Sequence, residues 1–65
     1  MTKYTVIIET DDGLNGEENF YADNYTLHSG TNADHYEFRN GNGELLKSFR
    51  ASDVKEIHTD ANTYP

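Results

Sequence analysis

Residues 3–10 place Tyr4, Val6 and Ile8 on one parity and Thr5, Ile7 and Glu9 on the other. A period of two in β-branched and aromatic residues predicts a strand, and Ile7 on the second parity predicts partial cover on both faces. Over residues 11–18, Asp-Asp-Gly-Leu-Asn-Gly-Glu-Glu, the pattern stops. Two glycines, an asparagine and four acids leave only Leu14 to bury, so this segment reads as a loop. Residues 19–28 resume the alternation with Phe20 and Ala22, then continue on the opposite parity with Tyr25 and Leu27. The slip at Asp23-Asn24 predicts a bulge, bend or tight turn at that point. Residues 29–34 form a second loop.

Residues 35–40 alternate cleanly, with Tyr36 and Phe38 inward. Asn40-Gly41-Asn42-Gly43 follows and is the strongest local signal in the chain, because Asn-Gly supplies the positive φ angles of a tight hairpin. Residues 44–50 return as the partner strand, with Leu45 and Phe49 on one face and Leu46 on the other. An amphipathic helix over 44–58 competes, since Leu45, Leu46, Phe49 and Ile57 nearly fit helical spacing, and the hairpin turn in front of it decides for strand. Residues 51–54, Ala-Ser-Asp-Val, read as a single 3₁₀ turn with Ser52 or Asp53 as cap. A last strand covers 54–59, and the patternless tail 60–65 is expected to fray.

The expected fold is all-β, with five short antiparallel strands in one domain over 1–59. Five strands with a one-turn helix before the last resembles the SH3-like small barrel, over residues 3 to 59. The resemblance rests on the order of elements and on Ala51-Ser52-Asp53-Val54, and an open β-meander is the alternative. Peptide-binding SH3 domains place acids after the first strand and line a groove with aromatic residues, usually including Trp. Here there is no Trp and no Ala-Leu-Tyr-Asp-Tyr-like stretch. The resemblance therefore extends to architecture and not to proline-rich ligands.

Composition narrows the setting. Val, Ile, Leu and Phe make up twelve of 65 residues and the formal charge is −7, a balance that overlaps disordered chains. Five tyrosines and the period-two segments place the chain with folded ones. A domain this small hides only about 60% of its unfolded surface, and self-association is one way to bury more. The longest apolar run is Val6-Ile7-Ile8, far short of a spanning helix. The first residues lack a signal-peptide core, so a cytoplasmic setting is expected. With no cysteine, neither a disulfide framework nor a thiolate metal site is expected. The net charge argues against direct nucleic-acid binding, which needs clustered Lys and Arg.

Candidate chemistry is sparse. Glu9, Asp11, Asp12, Glu17 and Glu18 put five carboxylates into ten positions without one Lys or Arg. As a calcium loop starting at Asp11 the segment has Asn15 and Gly16 in place, but Gly13 and Ala22 fail the ligand positions. His28, His35 and His58 show no metal-ligand spacing. No phosphate-cradling glycine loop or nucleophile motif is present, and so small a fold offers little concave volume. No catalytic residue, metal or cofactor is assigned, and an enzyme is not expected. Tyr4, Tyr25 and Tyr36 are expected to pack inward. Tyr21, on the opposite face from Phe20, is expected to join Ile7 and Leu46 in a contact patch.

The expected function is that of a small non-catalytic interaction protein whose partner is another protein, with a basic nucleic-acid-binding one as the leading class. An acidic surface mimics nucleic acid when it occupies a basic cleft, and the chain is similar in size and charge to small acidic proteins of phage and mobile elements. The expected contact residues are Asp11, Asp12, Glu17 and Glu18, supported by Tyr21, Asp23 and Glu37. The alternative is a structural or assembly protein that forms a homo-oligomer through open sheet edges.

Overall fold

Six strands and one 3₁₀ turn build the chain: β1 (Thr2–Glu9), β2 (Asn15–Ala22), β3 (Asn24–Ser29), β4 (Asp34–Arg39), β5 (Leu45–Arg50), the turn Ala51–Asp53, and β6 (Val54–Thr59). The computed structural model describes residues 1–31 and 33–60. The strands form two antiparallel sheets, ordered β2-β1-β6 and β3-β4-β5. The all-β expectation holds. The strand count is six because the slip in parity at Asp23 divides the stretch 19–28 into β2 and β3, which belong to different sheets. Among the described residues the sheets do not close into a barrel, and the open alternative is compatible with this arrangement. The 3₁₀ turn lies within the expected segment, and β6 has the expected bounds. Neither Ser52 nor Asp53 caps the turn. The cap position is Arg50, with no side-chain hydrogen bond.

The loop expected at 11–18 is shorter. β1 and β2 pair from Thr2 with Ala22 to Glu9 with Asn15, so Asn15, Gly16, Glu17 and Glu18 belong to a strand. Their weak strand propensity is overridden by the ladder to β1, at an edge where polar side chains face water. What turns the chain is Asp11-Asp12, followed by Gly13 at φ +82°.

The two hairpin turns share one construction. At 10–14, Gly13 N–H donates to Thr10 C=O (3.0 Å) and Thr10 N–H to Leu14 C=O (2.9 Å). At 40–44, Gly43 N–H donates to Asn40 C=O (3.0 Å) and Asn40 N–H to Glu44 C=O (3.1 Å). In each, the side-chain oxygen of the first residue accepts a further backbone N–H from the fifth. Positive φ falls on Gly13 and Gly43, at +82° and +84°. The second turn therefore takes its left-handed residue from Gly43 and not from the Asn40-Gly41 pair.

Cross-strand partners lie on one face, so register places every side chain. The inner face of the first sheet carries Tyr4, Val6 and Ile8 with Phe20, Ala22, Ile57 and Val54. The inner face of the second carries Phe38 and Tyr36 with Tyr25, Leu27 and Phe49. Where they meet, Tyr4, Val6, Ala22 and Phe38 are buried. Aromatic rings supply much of the contact. Phe38 lies 5.1 Å from Tyr4, 4.8 Å from Phe20, 5.0 Å from Tyr25 and 5.9 Å from Phe49 between centroids. Tyr4, Tyr25 and Tyr36 thus face the core side, as expected. The expected tail begins at Asp60, whose N–H donates to Lys3 C=O (2.9 Å). Residues 61–65 lie outside the described residues.

Candidate functional site

The acids of β1 and β2 are sorted by parity. Ile7 pairs with Glu17 on one side and Glu56 on the other, so both carboxylates share its outer face, on strands about 10 Å apart. Glu9, two residues beyond Ile7, lies on the same face. The adjoining turn holds Asp11 and Asp12. All five are exposed. Among the described residues two basic side chains reach this group: Lys55 Nζ lies 3.2 Å from Glu9 Oε2, and His58 Nε2 lies 3.6 Å from Glu56 Oε2, an ion pair when the imidazole is protonated. Asp11, Asp12 and Glu17 have no ion-pair partner among the described residues. A shallow depression of about 320 Å³ lies beside the turn, lined by Glu9, Thr10, Asp11, Ser52, Val54 and Lys55.

The other expected contact residues are placed elsewhere. Glu18 shares the inner face with Val6 and reaches the edge of the second sheet, where Lys47 Nζ lies 3.1 Å from its Oε1. Asp23 stands at the junction of β2 and β3, 4.0 Å from the N-terminal ammonium. Glu37 is on the second sheet, held by Arg39 Nη2 at 3.0 Å. Tyr21 is exposed on the outer face of the first sheet, opposite Lys3. It does not form one patch with Ile7 and Leu46. The Thr5–Asn19 pair stands between Tyr21 and Ile7, joined by a 2.6 Å hydrogen bond from Thr5 Oγ1 to Asn19 Oδ1, and Leu46 is on the other sheet.

Sequence reasoning missed two placements. Glu56 joins the acidic face only because β6 pairs with β1, a long-range pairing that no local pattern signals. His28 also stands directly opposite His35, and Arg50 is opposite His35 on its other side. The outer face of the second sheet thus holds both arginines and two histidines. The symmetric spacing of His28 and His35 about the loop 29–34 was the available signal.

The first face can accept charge-assisted hydrogen bonds from Lys or Arg side chains of a partner. Tyr4 carries a displaced acidity. Burial raises its phenol above the ordinary value, and the nearby Tyr25 and Asp23 add to the effect. It belongs to the core and not to this face. Among the described residues no helix is long and apolar enough to cross a membrane, and no three His, Asp or Glu side chains are placed to hold one metal ion. No protein-family model matches the chain, and neither a curated protein nor a solved structure is significantly similar to it.

Proposed function

We propose that this protein is a non-catalytic interaction protein of the cytoplasm that engages a basic protein through the outer face of its first sheet. The observation that carries this reading is the gathering of Glu9, Asp11, Asp12, Glu17 and Glu56 on one face and its adjoining turn. A basic cleft built for phosphates offers the complementary potential, so the favoured partner class is a nucleic-acid-binding protein. The order of strands with a 3₁₀ turn before the last supports an SH3-like architecture as the frame. Size and acidity favour kinship in kind with small phage or mobile-element proteins.

The test is capture of lysate proteins on the immobilised chain at low and high salt, with DNA as competitor. Nucleic-acid-binding proteins are expected at low salt, released by salt and displaced by DNA. The triple variant Asp11→Asn/Asp12→Asn/Glu17→Gln should lose them, whereas Glu18→Gln, on the opposite face, should retain them. Equal capture by the triple variant, or none by the native chain, would remove this reading.

A second reading, assembly through sheet edges, is favoured by the contrast between β3 and the other edge strands. The four edges are β2, β6, β3 and β5, and β3, Asn-Tyr-Thr-Leu-His-Ser, is the one that holds no Lys, Arg, Asp or Glu.

A further inference from the structure

We infer that β3 is the edge by which two copies of this chain pair, a reading that rests on the assembly function above. An edge strand presents unpaired N–H and C=O groups, and proteins guard such edges with charges, prolines or bulges. Three edges here are guarded. β2 carries Glu17 and Glu18. β6 carries Lys55 and Glu56, and its register with β1 shifts at Ile7/Ile8. β5 carries Lys47 and Arg50, and its register with β4 shifts at Phe38/Arg39. β3 has none of these devices. Its six residues pair with β4 without a shift, and all six are exposed.

The side chains of β3 are also half-finished as a core. Tyr25 and Leu27 lie on the face that looks toward the first sheet, yet they are 39% and 52% exposed. Tyr25 already touches Tyr4, Tyr36 and Phe38, so its remaining surface extends the aromatic cluster outward to the edge.

Charge selects the occupant. For a chain of formal charge −7, contact between two copies is opposed wherever like charges meet, and β3 is the edge strand that holds no Asp, Glu, Lys or Arg. Antiparallel pairing centred on Thr26 sets Thr26 beside Thr26 of the second copy. It sets Tyr25 beside Leu27, Leu27 beside Tyr25, and Asn24 beside His28. The two-fold axis thus gives two aromatic–aliphatic pairs on one face and no like charges in opposition. The result is one six-stranded sheet, β5-β4-β3 continued by its copy. A contact of one short strand falls below the area of a standard interface, so the dimer is weak and concentration-dependent.

Sedimentation equilibrium from about 10 μM to about 1 mM tests this. The native chain should pass from monomer to dimer across that range. Thr26→Lys sets two lysines face to face at the axis and should weaken the dimer at least about tenfold. Ser48→Lys makes the same charge change on β5 and should leave the dimer intact. Leu27→Glu gives a second reading of the same edge should Thr26→Lys not fold. A native chain that stays monomeric would overturn both the assembly function and the β3 contact. A dimer that survives Thr26→Lys and Leu27→Glu would leave assembly standing and overturn β3 as its site. Equal loss in Thr26→Lys and Ser48→Lys would likewise overturn β3, since charge alone would then decide.

Discussion

Phe38 meets Phe20 edge-on, with ring centroids 4.8 Å apart and planes at 89°, and this contact joins the middle strand of one sheet to the edge strand of the other. Phe38 is fully buried and touches rings from β1, β2, β3 and β5. Truncating a buried Phe to Ala typically costs about 3–5 kcal/mol, and a core this small rarely supplies more than about that in total. Phe38→Ala should therefore be unfolded at room temperature by circular dichroism, and Phe38→Leu folded but destabilised. Leu14→Ala, at a position 68% exposed, should stay within about 0.5 kcal/mol of the native chain.

The matched turns make a paired prediction. Gly13 and Gly43 hold φ values of +82° and +84°, where a Cβ costs about 1–2 kcal/mol. Gly13→Ala and Gly43→Ala should each lower the denaturant midpoint by a similar amount. Gly16 lies in β2 without positive φ, and a Cβ there meets nothing within 4 Å. Gly16→Ala should be neutral or gain up to about 1 kcal/mol by restricting the unfolded chain. Equal losses at all three positions would show that backbone conformation is not what these glycines supply.

What the sequence made legible follows the range of the interactions. The alternations at 3–10 and 35–40 are local and appear as β1 and β4. The slip at Asp23 is also local, and it marks the place where the chain changes sheets. Asn15 to Glu18 were illegible because their strand exists only through pairing with β1. The same cause scattered the expected site. Glu17 and Glu18 are neighbours in sequence, but a strand sends them to opposite faces, whereas Glu56 reaches Glu17's face from 39 residues away through β6.

Lys47 and Glu18 form an exposed ion pair between the two sheets, with side chains 45% and 42% exposed. Such pairs are worth about 0.2–1 kcal/mol. The two partners are not equivalent here, because the chain is strongly acidic. Lys47→Gln loses the pair and deepens the net negative charge, whereas Glu18→Gln loses the pair and relieves it. Lys47→Gln should be the more destabilising in low-salt urea titrations. The gap should close near 1 M salt, where screening acts within about 3 Å.

Tyr4 supplies an alkaline limit on stability. Its phenol is raised first by burial and then by the neighbouring Tyr25 and Asp23, so the folded chain holds this proton more tightly than the unfolded chain, which releases it near the ordinary value of about 10. The sign follows from linkage. Stability from this group is fully present below about pH 10 and is lost as pH rises through the higher folded value. Absorbance at 295 nm should show a late step of tyrosine ionisation, and the free energy of unfolding should fall over that interval. Tyr4→Phe should remove the late phenol and flatten the fall, whatever its own cost to stability. A native decline that Tyr4→Phe leaves unchanged would assign the alkaline loss to the remaining groups, and the phenol of Tyr4 would then have no part in it.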